Sequence, residues 1–328
     1  MDLQRSLPAD RATERRRRGI DLRDILARYG TLIALVLLVI VATVLSPRFL
    51  TTANLMNVLR QTSIVGVLGI GMTFVILTAG IDLSVGAILA VSVVLLGGTL
   101  ERTGNIWLAI AIAPAAGMAI GLVNGLGVTW GRVQPFVMTL GMLGIARSLA
   151  FLYTGGEPVP ILDMSFLRFG IGYIAGIPIP SVVFLVLLGA AALVLHYTPF
   201  GRYIYAIGSN AEAARLSGIN VRLYTILVYV LSGATASVAA ILYGAQFAAA
   251  PAIAGEGYEL DAIAAVVVGG TSLFGGQGGV IGTFLGALII GILSNILNLT
   301  GVSPFAQPLA KGALIIAAVW IVGRGQRA

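Results

Sequence analysis

Long apolar stretches follow one another almost without interruption from Thr31 to Val322, and this feature constrains the fold of the chain more than any other. A helix needs about 20 predominantly apolar residues to cross a bilayer, and these stretches are close to that length. Charged residues make up only 10% of the 328 residues, against about 25% in an average soluble domain. The sequence therefore predicts an all-α, polytopic membrane protein and excludes a water-soluble enzyme or binding module.

The apolar stretches divide into about ten predicted transmembrane helices. The stretch from Gln61 to Gly98 must turn back, because a single helix of that length would measure about 57 Å, nearly twice the hydrocarbon thickness. We place this turn at Gly80-Ile81-Asp82. The shortest predicted span, 260–274, ends in glycines. The predicted boundaries are 31–46, 58–79, 83–98, 106–129, 135–153, 178–196, 222–245, 260–274, 280–299 and 305–322.

Basic residues predict the orientation of these spans. Residues 1–30 form a basic tail with eight arginines against five acids. With this tail in the cytoplasm and ten spans, fourteen basic residues lie inside and only Arg48, Arg102 and Arg168 lie outside. Because cytoplasmic loops carry an excess of basic residues, we expect both termini inside, and the tail to mark cytoplasmic retention, not nucleic-acid binding. Residues 20–29 have the spacing of a short helix in the headgroup plane, or they are a solvated lead-in to the first span.

Two similar segments at the beginning of spans indicate an inverted repeat. Val133-Gln134-Pro135-Phe136 opens the fifth predicted span, and Val302-Ser303-Pro304-Phe305 opens the tenth. In the predicted topology these two segments lie on opposite faces of the membrane, as an inverted repeat requires. Glycines at four-residue spacing accompany both halves and predict close helix packing; they are Gly117, Gly121 and Gly125, then Gly278, Gly282 and Gly286.

The chain lacks the motifs of the common catalytic sites. The only lysine, Lys311, is followed by Gly312, so no G-x-x-x-x-G-K-[ST] phosphate loop is present. There is no H-E-x-x-H, no G-x-S-x-G and no cysteine, and the single histidine, His196, ends a span. We therefore predict no catalytic residue, no metal site and no cofactor in this chain, which leaves the function of a conduit.

Two acidic residues are candidates for ion coupling. Asp82 lies immediately before an apolar helical run, and Asp261 lies near the start of the eighth predicted span. Acids at membrane depth are commonly functional, but a carboxylate at the position of Asp82 also accepts backbone N–H bonds as a helix N-cap. We favour the cap. An ion-coupled carrier that uses Asp82 or Asp261 remains the alternative function.

The longest predicted cytoplasmic connection, residues 197–222, contains a short helix signal. Ser209 is followed three residues later by Glu212, which is the spacing of a capping box. This pattern predicts a helix that begins at Asn210 and ends, after about two turns, at Gly218. Such a helix is rigid and small enough to fit a groove on another protein.

Residues in this connection carry a resemblance to a known family. Glu212-Ala213-Ala214, three further residues and Gly218 resemble the E-A-A-x-x-x-G coupling loop of bacterial ATP-binding-cassette importer permeases. The segments GIDLSVGAILA at 80–90, VQPFVMTLGM at 133–142 and LDAIAAVVVGGTSLFGGQGG from 260 resemble the ribose, xylose and arabinose permeases. The residues that the resemblance assigns to coupling are Gly201, Arg202, Ser209, Asn210, Glu212, Ala213, Ala214, Arg215 and Gly218.

The resemblance implies a type II importer fold and a set of partners. It implies that residues 31–323 form a permease domain in the bacterial inner membrane, which pairs with a second copy of itself as a homodimer. It also implies a cytoplasmic ATPase with tandem cassettes, which holds ATP and Mg, and a periplasmic sugar-binding protein. The cargo implied is a monosaccharide, pentose or hexose.

Polar residues at membrane depth are candidates for the translocation pathway. A sugar offers hydroxyls, so its path needs exchangeable hydrogen-bonding groups without a deep binding well. For most of these residues, hydrogen bonding between helices is the alternative role. The pathway candidates are Asn57, Gln61, Asp82, Ser84, Asn124, Gln277 and Asn295. Arg147 and Lys311 are predicted to pair with backbone carbonyls or buried acids instead.

The longest predicted external loop runs from Thr154 to Pro180 and contains four prolines. Prolines stiffen a connection, so the loop is either a fixed surface for the binding protein or an ordinary stiff connector.

Overall fold

The computed structural model describes residues 22–313 and residue 316, and it is a bundle of helices. Two short antiparallel strand pairs are present, in which residues 159–160 pair with 249–250 and residues 173–174 pair with 177–178. Residues 307–313 are also helical. The helices are α1 (Leu22–Leu45), α2 (Thr52–Leu77), α3 (Val85–Thr103), α4 (Ile106–Thr129), α5 (Pro135–Thr154), α6 (Met164–Ile171), α7 (Ile179–Tyr197), α8 (Pro199–Ser209), α9 (Ala211–Leu216), α10 (Val221–Phe247), α11 (Tyr258–Val268) and α12 (Val280–Leu299). The strands are β1 (Val159–Pro160), β2 (Tyr173–Ile174), β3 (Ile177–Pro178) and β4 (Ala249–Ala250).

Seven helices of the described chain are long and apolar enough to cross a membrane, namely α2, α3, α4, α5, α7, α10 and α12. The apolar part of α1 is shorter, at residues 29–45. The predicted count of about ten transmembrane helices is therefore not confirmed. The tenth predicted span, 305–322, lies largely outside the described residues, as does most of the 1–30 tail. From Leu22 onward, the predicted interfacial helix at 20–29 is continuous with α1, so it is not a separate element there.

Local signals in the sequence determine most helix ends. Thr51 and Asn105 cap α2 and α4 by accepting backbone N–H bonds with their side chains, as small polar N-cap residues do. Gly104 and Gly155 follow α3 and α5 in the left-handed conformation that glycine adopts without strain. Consequently α4 and α12 have the predicted boundaries, and α5, α7 and α10 differ from prediction by no more than two residues.

The bundle has two ends, which we name by the short helices that they carry. The α8 face comprises residues 78–84, 130–134, 198–220 and 269–279, and the α6 face comprises residues 46–51, 104–105, 155–178 and 300–306. The predicted turn at Gly80-Ile81-Asp82 is confirmed on the α8 face. The two proline segments that suggested an inverted repeat, at 133–136 and 302–305, lie at opposite faces; the repeat itself stays a prediction.

Helices α2 and α3 form the centre of the bundle, whereas α4, α5 and α7 lie outside. Most of α2 and α3 is buried, but large apolar side chains of α4, α5 and α7 are exposed in the manner of lipid-facing helices. Trp107 and Trp130 are exposed at opposite ends of α4, about 35 Å apart along the helix. This separation fits the ~30 Å hydrocarbon core with an aromatic anchor at each interface.

Glycines allow two pairs of helices to pack backbone against backbone. A Cβ at Gly121 would clash with the carbonyl of Tyr229 in α10, and a Cβ at Gly286 would clash with the carbonyl of Ala265 in α11. The glycine ladders were predicted to mark close packing, and the structure confirms this for α4 on α10 and for α12 on α11. Gly278 lies in a loop instead of a helix.

The predicted span at 260–274 is wrong in both its extent and its structure. Helix α11 has only 11 residues, about 17 Å of helix, and residues 269–279 form a glycine-rich loop on the α8 face. The chain crosses the bundle here as the short strand β4 and a run of turns, together residues 248–257, followed by α11. The amide of Ile161 donates to the carbonyl of Ala248 at the α6 face, and Thr31 donates to the carbonyl of Val268 at the α8 face.

Arg147 explains how non-helical backbone is tolerated inside the bundle. Its guanidinium donates to the carbonyls of Ala252 and Ala254 at 2.7 and 2.8 Å. Backbone carbonyls away from water need such donors, because an unsatisfied polar group in hydrocarbon costs several kcal/mol by rough estimate. The prediction that Arg147 pairs with backbone carbonyls is confirmed.

Candidate functional site

Helices α8 and α9 form a hairpin-like surface element on the α8 face. Thr198 caps α8 by accepting the amide of Gly201, and Asn210 caps α9 by accepting the amide of Ala213 at 2.9 Å. The predicted capping box is therefore wrong, because Ser209 is the last residue of α8 and its hydroxyl donates to the carbonyl of Tyr205. Asn and Ser are equally good N-cap residues, and the helix starts one residue later than predicted.

Gly218 ends α9 as predicted. Its φ of +86° is in the region where a side chain is strained. The amide of Gly218 donates to the carbonyl of Arg215, and the amide of Ile219 donates to the carbonyl of Ala214. These two bonds make up a Schellman motif, which satisfies the last carbonyls of the helix. The end of α9 is thus fixed by backbone geometry.

The outer surface of α9 carries an ion pair. Arg215 bonds to both carboxylate oxygens of Glu212, at 2.6 and 2.9 Å, and both side chains are more than 60% exposed. The hydrogen bond from Arg215 lowers the pKa of the Glu212 carboxyl, so the pair is charged at neutral pH. Leu216 is also exposed, whereas Ala214 faces inward. Helix α9 therefore presents a small surface of mixed charge and apolar character.

The nine residues that the resemblance assigned to coupling divide into two groups. Gly201 and Ala214 are buried, and they pack the element onto the bundle. A Cβ at Gly201 would clash with the backbone of Leu195. The exposed residues are Arg202, Ser209, Asn210, Glu212, Ala213, Arg215 and Gly218.

The end of α8 joins the bundle through a junction of bare backbone, which we call the glycine junction (Leu77, Gly208, Gly275 and Gly276). A Cβ at Gly208 would clash with the carbonyl of Leu77 and would lie 2.5 Å from the amide of Gly276. That amide donates to the carbonyl of Leu77 at 3.0 Å. Gly275 and Gly276 both have positive φ. The end of α2, the end of α8 and the 269–279 loop thus meet without intervening side chains.

Asp82 is the centre of a buried hydrogen-bonding cluster at the same face. Its Oδ1 accepts from the amide and the hydroxyl of Ser84, at 3.0 and 2.6 Å, and its Oδ2 accepts from the hydroxyl of Ser232 at 2.8 Å. Asn124 donates to the hydroxyl of Ser84 at 2.9 Å. Asp82 precedes the N-cap residue Ser84 by two positions, so it supports the start of α3 without being its N-cap residue. The cluster ties α3, α4 and α10 together.

The other pathway candidates lie in three separate places. Asn295 exchanges two amide hydrogen bonds with Asn54, at 3.0 and 2.8 Å, and the pair joins α12 to α2. Asn57 is exposed, and its side chain accepts from Arg60. Gln277 lines a cavity of about 500 Å³ between the end of α8 and the 269–279 loop. The predicted residues thus do not form one site.

Gln61 lies in a second cavity, which we call the polar cavity. It has a volume of about 240 Å³ and lies between α2, α10, α11, α12 and residues 307–313. Lys311 donates to Oδ2 of Asp261 at 2.7 Å on its wall, so the predicted pairing of Lys311 with a buried acid is confirmed. The sequence did not single out Ser232 of the Asp82 cluster, nor Gln246, Tyr258, Ser294 and Gln307, which also line the polar cavity. The one sequence signal for these residues is that each is a polar residue at the end of, or within, an apolar stretch.

Comparisons with known proteins agree with the membrane architecture. A family model described as "Branched-chain amino acid transport system / permease component" matches residues 54–319. The chain is 47% identical to the ribose import permease protein of Escherichia coli K12 over 301 residues, covering 90% of this chain and 94% of that protein. It is 45% identical to the ribose import permease protein of Bacillus subtilis 168, covering 94% and 95%. It is 34% identical to the L-arabinose transport system permease protein of E. coli K12, covering 89% of each. No solved structure matches the chain.

Proposed function

The chain belongs to the permease family that matches residues 54–319, and we propose that it carries ribose, or a closely similar monosaccharide, as the membrane subunit of an ATP-driven importer. As an ABC sugar-importer permease, it is a multi-pass inner-membrane transporter subunit and not an enzyme. Identity of 47% to one ribose permease and 45% to another supports ribose over other sugars.

The exposed α9 helix is the observation that carries the mechanism of this proposal. It is short, fixed at both ends by Asn210 and the Gly218 Schellman motif, and joined to the bundle through the rigid end of α8. The cytoplasmic ATPase, with two fused cassettes, binds α9 through the Glu212–Arg215 surface. ATP and Mg are held by that partner, and their chemistry reaches this chain only as a displacement of α9.

The orientation follows from charge. The basic residues Arg132, Arg202 and Arg215 belong to the α8 face, and Arg222 lies beside it in the first turn of α10. Cytoplasmic loops are enriched in such residues. We therefore assign the α8 face, and both termini, to the cytoplasm. The α6 face then lies in the periplasm, where α6 and the β2–β3 hairpin give residues 155–178 a folded surface for the sugar-binding protein.

The pathway forms between two copies of the chain. Gln61 and Gln277 line cavities in the described structure and remain its candidate residues. The hydrogen bonds described above hold helices together; they are made by Asp82, Ser84 and Asn124, and by Asn295 with its partner Asn54. Asn57 is exposed at the α6-face end of α2, near the entrance.

Sugar uptake into proteoliposomes tests this function. The permease alone is expected to be inert under proton and sodium gradients, and to import ribose once the ATPase, ATP and the loaded binding protein are present. Uptake by the permease alone would refute the proposal and favour an ion-coupled carrier. The structure gives that alternative little support, because hydroxyl groups already donate to both oxygens of Asp82, and Asp261 is bound to Lys311.

Thiol labelling tests the orientation. Because the chain contains no cysteine, an introduced thiol is the single site of labelling in it. A Ser217→Cys variant places one thiol at the exposed end of α9. A membrane-impermeant reagent is expected to label it only in inside-out vesicles. A Thr103→Cys variant, exposed at the α6 face, is the matched control and is expected to label only from outside intact cells. The reverse pattern would contradict the assignment.

A further inference from the structure

The polar cavity has several polar side chains on its wall, whereas the bundle around it is mostly apolar. Gln61 from α2, Gln246 from α10 and Ser294 from α12 converge there with Gln307 and Lys311. Polar side chains at membrane depth face protein or a water-filled cavity, because exposure to lipid is costly. By contrast, the cavity between α2, α7 and α10 is lined almost entirely by apolar residues. The polar cavity is therefore a place where the bundle keeps water or a polar solute.

An ion pair on the cavity wall is positioned to contact such a solute. The ammonium of Lys311 uses one of its three donors on Asp261. The Lys311 side chain is 21% exposed and that of Asp261 is 9% exposed, so the pair is largely enclosed. Removing two charges from water is costly, and their mutual attraction repays it only with further hydrogen bonds. A solute with several hydroxyls supplies those bonds.

Gln246 has an acceptor that the described residues leave unsatisfied. Its Oε1 is buried and has no hydrogen-bond partner within the described part of the chain. A buried acceptor without a partner costs about 1–3 kcal/mol. A donor that enters the polar cavity relieves this cost, and a hydroxyl is a donor and an acceptor at once. The amide of Gln61 offers both kinds of group to the same space, whereas the amide nitrogen of Gln307 already donates to Asn298.

Size and shape limit what the cavity can hold. Its volume of about 240 Å³ is below the ~300–1,000 Å³ of pockets for drug-sized ligands. A monosaccharide fits this space and a longer oligosaccharide does not. Tyr258 also lines the cavity.

From these contacts we infer that the polar cavity is a monosaccharide-binding site within the permease, in which Gln61, Gln246 and the Lys311–Asp261 pair hydrogen-bond to sugar hydroxyls. The inference rests on the proposed function, and it identifies where in the permease the sugar rests. Its groups are exchangeable and mostly uncharged, so binding is weak enough to permit release. The site adds its own preference among sugars that differ at one hydroxyl.

A single thiol in the polar cavity tests the site directly. A Ser294→Cys variant, assembled with the ATPase and the binding protein in proteoliposomes, is treated with a small charged thiol reagent. We expect labelling, and we expect ribose turnover to slow it several-fold. Adding Gln246→Leu to this variant is expected to abolish the protection. No labelling, or labelling at the same rate with and without ribose, would overturn the site and leave a dry or merely water-filled cavity.

A second measurement does not depend on the cysteine variant. Gln246→Leu is expected to lower the ribose imported per ATP hydrolysed several-fold, and to change the ratio of uptake between ribose and a pentose inverted at one hydroxyl. Gln134→Leu, an exposed glutamine on the α8 face, is the matched control. Unchanged stoichiometry and selectivity in Gln246→Leu would also overturn the site. If the wild-type assembly imports no ribose with ATP, the proposed function itself has failed.

Discussion

The glycine junction yields the prediction that follows most directly from the structure, the effect of Gly208→Ala. The new methyl group would clash with the carbonyl of Leu77, and it would lie 2.5 Å from the amide of Gly276, where ordinary contact begins at 3.4 Å. The neighbours in question are backbone atoms, which cannot turn away as a side chain does. The end of α2 and the 269–279 loop must therefore both retreat from α8, by about 1 Å or more.

Two opposing effects determine the size of the change. Alanine favours a helix over glycine by about 1 kcal/mol, and Gly208 lies within α8. Overpacking costs about 1–3 kcal/mol, and the bond from Gly276 to Leu77, now 3.0 Å, is lost at about 0.5–1.5 kcal/mol. The steric effect therefore prevails, with a net destabilisation of about 2 kcal/mol. For a chain of 328 residues, with an unfolding entropy of about 2.1 cal/mol/K per residue, the melting temperature falls by about 3 °C.

Thermal unfolding of the purified permease and the ratio of sugar imported to ATP hydrolysed both test this reasoning. Gly189→Ala is the matched control, because Gly189 lies in α7 with open space around its Cβ position. We expect Gly208→Ala to melt at a lower temperature than Gly189→Ala and to import less sugar per ATP. Equal melting temperatures and equal ratios in the two variants would show that the junction tolerates separation, and the reasoning would be refuted.

Three further variants test other contacts. Glu212→Lys places a second positive charge beside Arg215, so we expect normal membrane insertion but ATP hydrolysis uncoupled from uptake; normal transport would contradict this. Lys311→Met leaves Asp261 without its partner, which costs about 3–5 kcal/mol for a buried pair. We expect the double variant Lys311→Met with Asp261→Asn to recover most of the lost melting temperature. Equal melting temperatures of the single and the double variant would argue against a stabilising Lys311–Asp261 ion pair. Arg147→Met removes two charge-assisted bonds, so we expect faster proteolysis of residues 248–257, with unchanged cleavage as the contrary result.

Hydropathy predicted most of the membrane helices, because the bilayer requires a crossing segment to be apolar and helical. A crossing segment without water must satisfy its own backbone, so length and apolar character suffice to locate a helix. The boundaries of α4 and α12 were predicted in full for this reason. Hydropathy fails where another side chain satisfies the backbone. The predicted span at 260–274 was placed on apolar residues, but α11 ends at Val268. The non-helical residues 248–257 that precede α11 are held by the Arg147 guanidinium instead.

The candidate site was less predictable because its parts are distant in sequence. Gln61 was identified from polarity at membrane depth, but its neighbours Gln246 and Lys311 lie far along the chain. The Lys311–Asp261 bond joins residues 50 positions apart, and no local spacing predicts it. Even the local signal at Ser209 failed by one residue, since Asn210 beside it caps as well. Side-chain partners of this kind require tertiary structure.

The coupling element and the polar cavity are joined by one continuous set of contacts. The Tyr205 hydroxyl in α8 donates to the carbonyl of Gly278 at 2.8 Å, and the glycine junction binds the same 269–279 loop to the end of α2. That loop is the direct continuation of α11, whose Asp261 holds Lys311 on the cavity wall. Helix α11 has only 11 residues and is flanked on both sides by non-helical chain, so it can shift without bending a full transmembrane helix. A displacement of α9 therefore has a path to the sugar-facing ion pair in which every step is a hydrogen bond, a covalent link or backbone contact.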